Sequence, residues 1–358
     1  MSRLDQTAPV RSGEELNKNA LLTYLNNQLE KEETDLDIQQ FPAGFSNLTY
    51  LIHFADQELV LRKPPLGAKI KSGHDMGREF RVLAGLGSIY HKIPKVHAYC
   101  DDPAVLGTPF YLMQRVRGII LRPKMQANRY PDATTMARIS RSLVKTLVEL
   151  HQLDYRAAGL ADLGKPDGYV DRQVAGWTKR YAKSKTDHLE EVDQVALWLE
   201  AEKQSSGRTA LIHNDFKYDN VILDGIDPTS IIAILDWEMC TLGDPLMDLG
   251  TTLGYWVNDD DPPWLQKLSL SPTVIPGNLS RSEFADLYLK ETGQSDTDLI
   301  FYYVFGLFKI GVIVQQIYLR YQQGHTQDER FANLIRVVKG LNVHAKQVID
   351  KGRLDDLY

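Results

Sequence analysis

The period of the apolar positions changes along the chain. Leu16, Leu21, Leu22, Leu25 and Leu29 recur at roughly helical spacing behind Ser12 and Glu15, a capping-box pattern that predicts an amphipathic helix running to about Glu30. The period then shortens: residues 47–54 and 58–63 are β-branched or aromatic runs separated by Ala55-Asp56-Gln57, which predicts a hairpin. Residues 75–86 predict a helix with Phe80, Val82 and Leu83 apolar, and 94–99 and 109–114 are further strand candidates. From Gly118 onward the spacing is mostly helical, over 133–153 (Ile139, Leu143, Leu147 and Leu150), 172–182, 190–203, 251–256, 281–292, 298–322 and 327 to about 349. Two short β-branched runs, 221–223 and 231–235, interrupt this helical part. A strand-rich opening and a helix-rich remainder predict an α+β chain.

Composition narrows the class. The 358 residues are 43% hydrophobic and 25% charged, as in a soluble globular protein with room for one large or two medium domains. A net charge of −6 argues against a nucleic-acid or anionic-membrane partner, since both call for clustered Lys and Arg. Cys100 and Cys240 are far apart and form no CxxC, which fits two reduced thiols in a cytoplasmic protein. Residues 1–16 carry no apolar run of the kind that directs export. The most apolar segment, 299–314, is interrupted by Lys309 and flanked by Asp296, Asp298, Gln315 and Gln316, so it predicts a buried helix and no membrane span.

Chemistry concentrates between Leu211 and Gly250. Asp215 precedes the first short strand, Asn220 follows it by five residues, and Asp236 closes the second strand twenty-one residues after Asp215. Carboxylate and amide oxygens suit a hard divalent cation such as Mg2+, held with substrate phosphates by Asn220 and Asp236. Asp215 is then left to accept the proton of a substrate hydroxyl, and Lys217 to offset charge on a transferring phosphoryl group. Ordinary turn residues also cluster Asp and Asn at strand ends, but the spacing, the flanking strands and the later Gly243-Asp244-Pro245 coincide here. Asp248 is expected to brace the catalytic loop, and His151, at a helix end, to pack rather than catalyse.

These residues resemble the aminoglycoside phosphotransferase and choline kinase branch of the protein-kinase-like fold, and look most like the kinase-like domain fused to some acyl-CoA dehydrogenases. The resemblance implies a bilobal architecture, with residues 1–116 as a nucleotide-binding lobe built on an antiparallel sheet and 117–358 as a larger, mainly helical catalytic and substrate-binding lobe. His213-Asn214-Asp215 matches the catalytic-loop motif and Asp236-Trp237-Glu238 the metal-binding motif; Asn214 departs from the usual Gly. Gly44, Ser46, Asn47, Thr49 and Tyr50 match a phosphate-covering loop. Arg62 or Lys63 falls where the phosphate-pairing cation stands, with Glu79 as its carboxylate partner, and the backbone from Met113 through Gln114 to Val116 falls at the adenine-binding hinge. The implied cofactors are ATP and Mg2+, in a monomer or homodimer.

Only a few residues separate Asp236 from Gly243-Asp244-Pro245 and no Ala-Pro-Glu follows, so the peptide platform of protein kinases is missing and the acceptor is expected to be small. The resemblance to the domain fused to acyl-CoA dehydrogenases implies a hydroxylated acyl group, free or as a CoA thioester, as an acceptor. A nucleotide-binding regulatory module, or an aminoglycoside or choline kinase using the acidic run 258–261, are the alternatives.

Overall fold

The computed structural model describes residues 6–42, 47–65, 75–123, 125–268, 270–294, 297–324 and 329–358, which fall into two compact units. A sheet unit takes in Met1–Ile120, Asp154–Leu160 and Asn220–Cys240. A helical unit takes in Leu121–Leu153, Ala161–Asp219 and Thr241–Tyr358.

The sheet unit opens with α1 (Lys18–Leu29), β1 (Asp37–Gln40), β2 (Leu48–Phe54), β3 (Gln57–Lys63), α2 (Met76–Leu86), β4 (Val96–Cys100), α3 (Pro103–Leu106) and β5 (Phe110–Gln114). The helical unit then receives α4 (Ala133–His151), α5 (Tyr169–Ser184), α6 (Glu190–Ala201) and β6 (Ala210–Ile212). The chain returns to the sheet unit for β7 (Val221–Leu223) and β8 (Ile231–Ile234). It ends in the helical unit with β9 (Thr241–Gly243), α7 (Pro245–Gly254), α8 (Pro263–Leu268), α9 (Arg281–Thr292), α10 (Ile300–Gln322) and α11 (Leu334–Lys351).

The sheet runs β1-β2-β3-β5-β4 and is antiparallel throughout. β2 and β3 form the predicted hairpin, Phe54 pairing with Gln57 across a turn that holds Ala55 at φ +53°. Leu21 and Leu25 of α1 join Tyr50, Ile52, Phe54, Leu59, Leu61, Phe110 and Leu112 in one core. Each such buried side chain contributes about 1.5–3 kcal/mol over exposure. The helix starts later than Ser12 and Glu15 predict: Asn17 caps it, accepting the Ala20 amide at 3.1 Å, while Glu15 takes the Gly13 amide at 2.8 Å. An acceptor next to the apolar stripe wins the helix N-terminus over one five residues earlier.

β7 and β8 pair antiparallel, Val221 with Ile234, and the Leu235 amide donates to the Asn220 carbonyl at 2.8 Å. This register brings Asn220 and Asp236, sixteen residues apart in sequence, to one end of one hairpin. Gly118 allows the segment after β5 to lie against it, since a Cβ there would stand 2.3 Å from the Leu223 carbonyl oxygen.

In the helical unit α7 begins at Pro245, six residues before the predicted start, because Asp244 caps it by accepting the Leu246 amide at 3.0 Å and proline suits the first turn. α10 packs on α7, α11, α5 and α6 as the predicted core helix, and 72% of its most apolar window is buried. It crosses α7 main chain to main chain. A Cβ on Gly306 would lie 2.1 Å from the Gly250 carbonyl oxygen, and one on Gly250 2.0 Å from that of Tyr302.

Candidate active site

In the sheet unit, β3 and α2 place a guanidinium among carboxylates. Arg62 lies 3.2 Å from Glu79, 2.9 Å from Asp236 and 3.9 Å from Glu238. Lys63, on the opposite side of the pleat, donates to the Leu106 carbonyl at 3.0 Å. Arg62 is therefore the cation that faces the acid cluster. Glu79 also accepts the Trp237 amide at 3.1 Å, and Asp236 sits at φ +65°, ψ +63°, a left-handed turn that carries Asp236 and Glu238 to the same guanidinium. Asn47 donates to Glu238 at 2.7 Å.

Burial opposes the charge on Arg62, but Glu79, Asp236, Tyr111 and Glu238 outweigh it and hold the guanidinium firmly protonated. Burial pushes the Glu79 carboxyl up; Arg62 draws it back and Asp236 raises it again. Three carboxylates thus share one guanidinium, and Asp236, its side chain 31% exposed, is the one open to solvent. Asn220 and Asp236 offer only hard oxygen donors, and no group of three or more His, Cys, Asp or Glu makes a closed metal cage among the described residues. One or two protein oxygens completed by phosphate is how magnesium is commonly held, so these residues fit that ion.

Of the other predicted nucleotide residues, Met113 is buried in β5 opposite Val60 and Gln114 ends the strand, its amide donating to the Lys95 carbonyl at 2.7 Å. Val116 follows, half-buried. Gly44 and Ser46 lie outside the described residues. A hollow of about 460 Å3 is lined by Glu58, Lys95, His97, Gln114, Arg115 and Arg117, among others. It shares only Gln114 with the predicted residues, and Glu58 draws Arg115 to 3.0 Å and Arg117 to 2.8 Å across it.

In the helical unit, the loop after β6 carries Asp215. Asp248, wholly buried on α7, accepts the amides of His213 at 2.6 Å and Asn214 at 2.7 Å, and lies 3.1 Å from His151. The other ring nitrogen of His151 lies 2.7 Å from the Tyr288 hydroxyl. Asp248 and His151 therefore brace the loop rather than react. Burial alone would push the Asp248 carboxyl up, but its bonds to His151 and His213 hold it below the ordinary carboxylate range.

Beyond the brace, Lys217 stands 2.8 Å from both oxygens of Asp215 and 4.5 Å from the centroid of the Tyr255 ring. Burial disfavours this ammonium, yet Tyr255, Asp215 and Asp219 keep its pKa well above that of an ordinary lysine. Asp219 is pushed up by burial while Lys217 and Arg122 draw it down, and one of its buried oxygens has no hydrogen-bond partner. Within the acidic run, Asp259 and Asp260 are exposed and Asp261 is turned inward. Asp261 is buried and takes two 2.8 Å bonds from Arg281, and it accepts the Asn258 amide at 2.8 Å, so it ties the loop to α9.

A sequence model of the phosphotransferase enzyme family matches residues 37–272. The chain belongs to this family. Mouse acyl-CoA dehydrogenase family member 10 is 33% identical over 317 residues, 88% of this chain and 29% of that protein. The chain spans less than half the length of the curated relatives it matches. Among solved structures, a Ralstonia eutropha protein assigned to the aminoglycoside phosphotransferases superposes with a TM-score of 0.79 at 27% identity, covering 94% of this chain and 99% of that one. An aminoglycoside phosphotransferase solved with GDP and kanamycin has a TM-score of 0.62 at 14% identity, over 91% of this chain and 99% of its own. The fold is α+β and protein-kinase-like, and the family's chemistry is phosphoryl transfer to a small molecule.

Spacing alone did not mark Asp219, Tyr255 and Lys309. Asp219 stands directly before Asn220, which is a signal of place but not of role. Tyr255 lies at the end of a helix forty residues from its partner Asp215, and Lys309 reads in sequence as an interruption of an apolar helix.

Proposed function

We propose that the chain is an ATP-dependent kinase that transfers the γ-phosphoryl group to a hydroxyl of a small molecule. The observation that carries this reading is Asp215, a half-buried carboxylate whose loop is fixed by Asp248 through two backbone amides and whose oxygens are both held by Lys217.

Asp215 accepts the proton of the acceptor hydroxyl as its oxygen bonds to the γ-phosphorus; the bond from phosphorus to the β-bridging oxygen breaks, and ADP leaves with that electron pair. Lys217 offsets the charge on the moving phosphoryl group. Arg62, steadied by Glu79, binds phosphate oxygens as a planar fork. The backbone from Met113 through Gln114 to Val116 hydrogen-bonds the adenine edge. Asn220 and Asp236 would hold a magnesium ion, whose charge would offset that of the phosphates.

For the acceptor, the relation to acyl-CoA dehydrogenase family members favours a hydroxylated acyl group, free or as a CoA thioester. Asp261, buried on Arg281, is not available to a cationic aminoglycoside, which leaves Asp259 and Asp260 of that run. A screen of Mg-ATP-dependent transfer to hydroxyacyl-CoA thioesters, free hydroxy acids, choline and kanamycin tests this, with Asp215→Asn as control. Transfer to a hydroxyacyl compound that Asp215→Asn abolishes is expected; unchanged transfer by that variant removes Asp215 from the mechanism, and nucleotide binding with no transfer to any acceptor favours a regulatory module.

A further inference from the structure

Lys309 lies in the apolar part of α10, and its side chain is buried, the residue only 2% exposed. A buried ammonium is tolerated only where acceptors replace the water it has lost. The ammonium stands 2.9 Å from the Asn214 carbonyl oxygen, 3.3 Å from the Asn214 side-chain oxygen and 3.5 Å from the Thr251 hydroxyl, with the Trp177 ring centroid at 5.8 Å. The Tyr169 hydroxyl donates to the same Asn214 side-chain oxygen at 3.3 Å.

Asn214 is the residue that needs such attention. Its φ is +66°, a left-handed conformation that costs any L-residue something and glycine almost nothing. Asp248 holds its amide at 2.7 Å, and Lys309 holds its carbonyl, so the peptide groups on both sides of its Cα are fixed. The next residue is Asp215, whose direction follows from that turn.

We propose that Lys309 is a positioning residue for phosphoryl transfer: its ammonium locks Asn214 in the left-handed turn and thereby aims the Asp215 carboxylate. The inference rests on the phosphotransferase reading. The groups facing the ammonium are Asp248 on α7, Asp215 and Lys217 on the loop, and Arg180 on α5. Burial draws the lysine down to about 8, Asp248 and Asp215 oppose the fall, and Lys217 and Arg180 add to it. The charged form makes the stronger bond to the carbonyl, so the lock weakens as pH rises through that value.

The test uses the full chain with Lys309→Met, Asn214→Gly and both together, followed by Mg-ATP hydrolysis, which needs no identified acceptor. Lys309→Met is expected to lower kcat about 10–100-fold with KM for Mg-ATP within about twofold. Adding Asn214→Gly is expected to restore most of kcat, because glycine holds this turn without a brace. Wild-type kcat is expected to fall on the alkaline side of about 8, a limb absent from Asn214→Gly. Persistence of that limb in Asn214→Gly overturns the proposal even if Lys309→Met does not fold, and so does a kcat loss that Asn214→Gly leaves unrepaired. Thermal unfolding of the four proteins provides a readout without turnover, the double variant losing less Tm than the two single losses combined. Additive losses in a chain that hydrolyses ATP overturn the lock alone. Non-additive losses in a wild type that neither hydrolyses nor transfers overturn the phosphotransferase reading, and the catalytic role of Lys309 falls with it.

Discussion

The two charged clusters are built on opposite principles. In the sheet unit, three carboxylates crowd one guanidinium, and the one most open to solvent, Asp236, is also the one beside Asn220. In the helical unit these groups are paired off singly: Asp215 with Lys217, Asp248 with His151 and two amides, Lys309 with the Asn214 carbonyl. A site short of positive charge recruits a cation, whereas a site already balanced spends its interactions on holding geometry. On the proposed function, the first cluster would take the metal-nucleotide and the second would orient the base.

The largest expected effect tests the matched cluster. Asp215→Asn should lower transfer about 10²- to 10⁴-fold while nucleotide affinity, read by isothermal titration, stays near wild type. A parallel loss of affinity would break the division of labour. Asp248→Asn should cost about 2–4 kcal/mol in chemical denaturation, since it leaves two amides and a histidine facing a group that can no longer answer all three.

The pH dependence of that cost has a definite sign. Asp248 is held below the ordinary carboxylate range, so its contribution is present above about pH 4 and lost as pH falls through the folded value. The gap in Tm between wild type and Asp248→Asn should close at acid pH. Glu79 is pushed the other way by burial, so its contribution is present at acid pH and lost as pH rises through its folded value. Glu79→Gln should gain on the wild type as pH rises, and two slopes of the same sign would contradict the contrast. Asp236→Asn should be the mildest for stability, within about 1 kcal/mol, because it relieves crowding among acids as it weakens the Arg62 contact. It should nevertheless remove the dependence of nucleotide affinity on Mg2+, compared by titration with magnesium and with EDTA.

Much of this was legible in the chain because each signal was local. The β2–β3 hairpin announced itself by two β-branched runs and a short turn, and Asp215, Asn220 and Asp236 by strand ends a fixed distance apart. What escaped depended on partners distant in sequence. β6 and β9 are three residues each and pair across thirty residues, too short to show a period. Asp261 looked like part of a solvated acidic run until Arg281 came to meet it. The helix after Asp244 was placed too late because Pro245 reads as a breaker when its capping aspartate is overlooked.

Where Gly250 and Gly306 touch, there is no side chain left to trim or enlarge. Asp248 lies two residues from one of them and Lys309 three from the other, so the two residues that hold the Asn214 turn both start from this crossing. Attempts to retarget the protein to a new acceptor should therefore leave that crossing untouched, and with it Tyr288 of α9, which reaches Asp248 through His151.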